Sequence, residues 1–139
     1  MIIMIVDGQG GGIGKALVEK LTRTLKNQDN YEIIAIGTNS IATAAMVKAG
    51  AENAATGENA VIYNAGRADI ITGAIGIISA NSMLGELSPK MAEAIGTSPA
   101  VKILIPLNRC KLQVVGTTDL ALPKKIDEAV KTIIEYINK

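Results

Sequence analysis

The sequence predicts an α/β fold: a Rossmann-like three-layer sandwich, with helices on both faces of a mostly parallel sheet of five or six strands. Three observations predict it. Short β-branched runs bounded by Gly or Asn recur along the chain, amphipathic stretches separate them, and five glycines crowd the first strand-to-helix junction. Continuous apolar runs belong to strands buried on both faces, as in a parallel sheet covered by helices. Strand then helix, repeated, implies right-handed crossovers. The 139 residues fit a single domain, 1–139, long enough to bury a sizeable core.

Four strand runs are clear: Ile2–Val6, Glu32–Ile36, Asp69–Thr72 and Lys102–Ile105. Two are weaker, Ala51–Ala55 as a short edge strand and Leu112–Val115. After Gly12 the apolar residues Ile13, Leu17, Leu21 and Leu25 recur every four positions, which predicts an amphipathic helix. Asn39 or Ser40 can cap the next, through Ile41, Ala45 and Ala49, and Gly50 ends it. Asn59 to Ala65 forms a short helix stopped by Gly66. Pro89 suits the first turn of a helix over Lys90–Ile95 that Gly96 closes. Pro123 opens a last helix whose Ile126, Val130, Ile133 and Ile137 share one stripe, opposite a solvated charged face.

Composition excludes much. Hydrophobic and charged fractions of 48% and 19% do not fit disorder or a coiled coil. With 14 basic and 13 acidic residues, the net charge of +1 gives no general reason to bind nucleic acid or a membrane. Three Tyr, with no Phe or Trp, offer little for bases to stack on. The absence of His and the single Cys110 exclude a disulfide framework, a zinc site, a histidine base and a Ser-His-Asp or Cys-His nucleophile. Asp7 cuts the apolar start after Val6, too early for a signal peptide. The uncharged stretch Ile70–Gly85 carries three Gly, two Ser and an Asn, so it reads as strand, loop and helix, not as a membrane span. A cytoplasmic location is expected.

Ligands of open α/β sheets bind beyond the carboxyl ends of the strands, near the reversal of strand order. The loops after strands therefore hold the candidate site. Foremost is Gly8-Gln9-Gly10-Gly11-Gly12-Ile13-Gly14, opened by Asp7. Such a cluster fits either a tight turn with positive φ or the close approach of a phosphate to free N–H groups at a helix start. Asp7 can accept hydrogen bonds from a ribose or from backbone N–H groups. The spacing is not that of a P-loop, because Gln9 and Ala16 stand where Gly and a hydroxyl are needed. Strict Gly-x-Gly-x-x-Gly fails at Ile13. After the second strand, Thr38, Asn39 and Ser40 offer neutral hydrogen-bonding groups where dinucleotide folds place an acid or an arginine. Asn39 there suits a ribose hydroxyl, a helix cap or both. Gly73 belongs to the loop after the third clear strand. Asn108 and Arg109 follow the fourth, where Arg109 can clamp a phosphate or carboxylate. Cys110 has basic neighbours of the kind that lower a thiol pKa, but a lone Cys at a strand end is more often an inert packed residue, and Cys110 is expected to pack as a small apolar group.

The pattern Gly-x-x-x-Gly-Ile-Gly over Gly8–Gly14 resembles the cofactor loop of short-chain dehydrogenases, and Asn64-Ala65-Gly66 resembles their second motif. The resemblance implies NAD(P) or another nucleotide as cofactor. Their Tyr-x-x-x-Lys pair is absent, so hydride transfer by that route is not expected. As a whole, VDGQGGGIGKALVEKL, GTNSIATAAMVKAGA, ATGENAVIYNAGRADI, LGELSPKMAEAI and SPAVKILIPLNRC resemble a family of short bacterial, clostridial-type proteins known only as a domain of unknown function. Residues 68–108 are also similar to the central part of the phospholactate-transferase and gluconeogenesis-factor group, which implies nucleotide-linked or phosphorylated ligands. Two functions stay open. One is a protein that binds a nucleotide or other phosphorylated small molecule, including a small transferase or reductase completed by a partner subunit. The other is a regulatory or interaction module without catalysis. With no second domain to cover the sheet edge, a homo-oligomer that completes the site is expected.

Overall fold

The computed structural model describes every residue except 10, 11, 109, 110 and 118. Gly10, Gly11, Arg109 and Cys110 therefore lie outside the described residues. Five strands, β1 (Ile2–Asp7), β2 (Glu32–Gly37), β3 (Asn53–Thr56), β4 (Ile70–Ala74) and β5 (Val101–Ile105), alternate with helices. These are α1 (Gly12–Thr24), α2 (Ser40–Lys48), α3 (Glu58–Ala65), α4 (Pro89–Thr97) and α5 (Leu122–Ile137), with a 3₁₀ turn at Ile75–Ile78 after β4. Every pairing is parallel, in the order β3-β2-β1-β4-β5. The chain steps outward from β1 to β3 and then returns to lay β4 on the other side of β1. The reversal thus falls between the carboxyl ends of β1 and β4, where an open α/β sheet has its ligand crevice.

β1 is the centre of the sheet, and Ile3 through Val6 are fully buried. Its side chains alternate between two apolar layers. Ile3 and Ile5 join Leu17, Val18 and Leu21 of α1 and Ile126 and Ile133 of α5. Met4 and Val6 join Val61 of α3, Met91 and Ile95 of α4, and Ile77 and Leu87 of the chain after β4. Burying one such side chain is worth about 1.5–3 kcal/mol, so this short strand anchors both layers. The Lys20 ammonium and the Asp127 carboxylate, 2.6 Å apart, tie α1 to α5 at the surface.

The structure differs from the sequence expectation at one strand and at several element ends. Leu112–Val115 is not a strand: a further parallel strand needs a crossover of about a dozen residues, and only 106–111 intervene. The Val114 N–H instead turns to the Asn108 Oδ1 at 3.4 Å. β3 begins at Asn53, because the Ala51 N–H closes the end of α2 on the Met46 carbonyl. Gly96 does not end α4, which continues to Thr97, where the Ser98 N–H caps the Ile95 carbonyl. The Asn39 cap is as the sequence predicts, and Ser88 is a cap that the sequence reading does not name. Asn39 accepts from Ala42 N, and Ser88 accepts from Met91 N ahead of Pro89.

Thr72 Oγ1 in β4 is fully buried and has no hydrogen-bond partner among the described residues. In register it stands between Ile5 of β1 and Ile103 of β5. An unpaired buried hydroxyl costs about 1–3 kcal/mol of desolvation. Thr72→Val is therefore expected to raise stability by about 1 kcal/mol, read as a higher urea midpoint at unchanged slope.

Candidate functional site

Asp7 ends β1 on the same face as Ile3 and Ile5, beneath the start of α1. It is only 5% exposed. Its Oδ1 accepts from the Gly8 N–H at 2.8 Å and its Oδ2 from the Gly14 N–H at 2.6 Å. The first N–H groups of a helix have no intrahelical acceptor and carry a positive partial charge, so the carboxylate satisfies one of them. Burial pushes the Asp7 carboxyl above its ordinary value, and the bonds from Gly14 and Gly8 pull it part of the way back. The first anion in the glycine loop is thus the protein's own.

The described glycines of the site have different reasons to be glycine. A Cβ on Gly14 would lie 2.7 Å from the Asp7 Cβ and 2.6 Å from the Met46 sulfur. One on Gly8 would meet the Thr38 hydroxyl and, at 2.5 Å, the Met83 sulfur. Gly73 lies within β4, paired with Leu104, and not in the loop after the strand as the sequence suggests; its φ is +157°, and its Cβ would strike the Val6 carbonyl of the neighbouring strand. Close packing explains these three. Gly12 is the exception: among the described residues, its chain neighbours and its own helix backbone aside, nothing lies within 4 Å of its Cβ position. Ile13 beside it is half-buried against the α1 layer.

β2 brings its carboxyl end alongside β1, and the Thr38 N–H continues the pairing onto the Asp7 carbonyl at 2.9 Å. The Thr38 hydroxyl and the Asn39 amide both donate to Glu86 Oε1, at 3.1 and 2.6 Å. Asn39 serves twice, since its Oδ1 accepts the Ala42 N–H at 2.8 Å as the cap of α2. The same amide reaches the Gln9 carbonyl of the glycine loop at 3.4 Å. Glu86 arrives from the long connection after β4. There Met83, Leu84 and Gly85 take φ of +57°, +55° and +87° in succession. Asn81 N bonds the Leu87 carbonyl and Leu87 N the Ser82 carbonyl, which closes this loop on itself. The Ser82 hydroxyl anchors it on the Gly76 carbonyl.

The remaining candidates spread along the edge. Ser40 opens α2 and is exposed. Asn108 bonds within its own loop, to Val114 N, beyond β4 and away from the glycine loop. Asp7, Gly8, Gly12, Ile13, Gly14, Thr38 and Asn39 form one contiguous group with Glu86. From the sequence, Glu86, ahead of Ser88-Pro89, reads only as a residue that helps order the entry to a helix. The available signal was its isolation, as the one acidic residue between Asp69 and Glu93. Two concavities lie elsewhere. One, of about 300 Å³, sits at the opposite end of the sheet among Thr22, Tyr31, Glu32 and Glu52; the other, of about 430 Å³, lies between β5 and α5. Among the described residues no three His, Cys, Asp or Glu side chains gather as a metal site, and no helix is long and apolar enough to cross a membrane.

The model of a family described as "Domain of unknown function (DUF3842)" matches residues 2–138, so the chain belongs to that family. No curated protein matches it. Among solved structures it is similar to a dodecameric FMN-dependent UbiX-like decarboxylase from Escherichia coli O157:H7. The match covers 100% of this chain and 96% of that one, at 12% identity and a TM-score of 0.55. At that identity the likeness is one of fold, and it agrees with the parallel α/β architecture.

Gly14→Ala is expected to cost about 1–3 kcal/mol by overpacking against Asp7. Gly12→Ala should be neutral or stabilising by up to about 1 kcal/mol, since only helix propensity changes. Urea melts of both variants distinguish the two glycines. The raised Asp7 pKa means that the folded chain holds this proton more tightly than the unfolded chain. Its stabilising contribution is full below the ordinary value of 3.8 and is lost as pH rises through the raised value. The stability of the native protein relative to Asp7→Asn should therefore fall over that window and level off above it. A difference independent of pH contradicts the assignment.

Proposed function

We propose that this DUF3842 chain binds a nucleotide or another phosphorylated small molecule where β1, β2 and β4 end. The observation that carries the reading is Gly12, whose missing side chain no packing among the described residues requires. A phosphate docking on the first turn of α1 does require it, because a Cβ there stands in its path. Asp7 occupies the Gly14 N–H, which leaves the N–H groups of Gly12 and Ile13 for the ligand. Lys15, exposed in the same turn, adds a cation. The site lies at the reversal of strand order, as in other nucleotide-binding α/β sheets. The FMN dependence of the fold neighbour is of the same ligand class.

A second copy of the chain is the natural cover for this open edge. Leu84, 99% exposed, and Ile41, 72% exposed, stand on the two elements that border it. A binding or regulatory module that acts through such contacts is the second reading, and these two side chains are what favour it.

A ligand at 100 times its dissociation constant adds about 2.7 kcal/mol, or roughly 5–10 °C in Tm at this size. A melting panel of NAD, NADP, ATP, GTP, FMN and UDP-sugars should contain one such shift. Gly12→Ala, still folded, should weaken that ligand about tenfold or more. Shifts below about one degree throughout, on a scale where 1 kcal/mol moves Tm by several, remove the support for this reading.

A further inference from the structure

We infer that Glu86 makes the site selective for nucleotides with a free ribose 2′,3′-diol and against those with a 2′-phosphate. This rests on the phosphate site proposed above. When phosphates sit on the loop after the first strand, the ribose falls beside the end of the second, where an acidic residue accepts from its hydroxyls. The β2 loop, Gly37-Thr38-Asn39-Ser40, has no acid of its own. The chain after β4 supplies one instead. Glu86 places its carboxylate against that loop, fixed by Thr38 and Asn39 on Oε1.

The carboxylate is held in one orientation by a chain of defined bonds. Asn39 Oδ1 is committed to the Ala42 N–H, so its Nδ2 must face Glu86. Met83, three residues earlier, seats its sulfur against Gly8 and sets the height of the loop above β1. The contact from Asn39 to the Gln9 carbonyl puts the carboxylate and the glycine loop on the same side chain. Among the described residues Glu86 Oε2 receives no hydrogen bond, so it keeps its full capacity to accept from a diol. A neutral amide or hydroxyl at this place would hold a diol more weakly and would tolerate a phosphate. A carboxylate accepts the diol and repels the phosphate. A purely structural staple from Glu86 to the β2 loop predicts no such discrimination.

Calorimetric titration tests this with ADP, GDP, CDP and UDP, their 2′-deoxy counterparts, adenosine 2′,5′-bisphosphate and pyrophosphate. The native protein should bind the ribonucleoside form about tenfold or more tightly than its 2′-deoxy counterpart, and the 2′,5′-bisphosphate more weakly than ADP. Glu86→Gln keeps an acceptor for Thr38 and Asn39; in it both preferences should shrink while pyrophosphate affinity stays unchanged. Equal binding of ribo and deoxy forms by the native protein overturns the role of Glu86 and leaves the phosphate site standing. A preference that survives Glu86→Gln does the same. Binding of neither pyrophosphate nor any nucleotide removes both. The native comparison alone decides the matter if the variant does not fold.

Discussion

The carboxylate of Asp7 joins the central strand to the first helix, and the rest of the candidate site is arranged around that junction. One oxygen holds the residue that leaves the strand and the other holds the first turn of α1. This fixes where the helix starts, how close it comes to the sheet and which of its N–H groups remain open. The arrangement works against burial, which disfavours the charge, and it persists because two N–H groups and the helix dipole face the carboxylate. Gly14 follows from it: the helix can approach a buried carboxylate this closely only where it has no side chain.

The connection after β4 is the second constraint. Of three successive residues with positive φ, Met83 and Leu84 are not glycine and cost roughly 1–2 kcal/mol each. The closing bonds among Asn81, Ser82 and Leu87, and the burial of Leu87 in the core, offset that strain. The geometry gained is specific: Met83 over Gly8, Glu86 on Thr38 and Asn39, and Leu84 in solvent. Strain held beside a candidate site is where preorganisation is expected.

Much of this was legible in the sequence because it is local. Buried strands announce themselves as continuous Ile and Val runs, and Asn39 and Ser88 sit where caps belong. The crowded glycines after β1 stand at the edge where the strand order reverses. The reasons for individual glycines were not legible, because Gly8, Gly14 and Gly73 are set by side chains and carbonyls from other elements. Glu86 escaped for the same reason, since it meets residues 47 and 48 positions away. Leu112–Val115 misled because β-branched composition carries no information about whether a strand has an edge to pair with. Loop length was the better guide there.

The order β3-β2-β1-β4-β5 also bears on how the chain reaches this structure. β1 pairs with β2 across a short stretch of chain, but its other edge waits for β4, where Ile3 meets Ile70. Until that partner arrives, Ile2-Ile3-Met4-Ile5-Val6 is a bare, apolar strand edge of the kind that recruits other chains. Such long-range parallel pairing is slow because loop closure must precede any reward. Asp7, placed directly after this run, puts a charge at its end during that interval. The residue that joins strand to helix in the finished structure thus stands where a gatekeeper charge belongs, at the end of an apolar strand run.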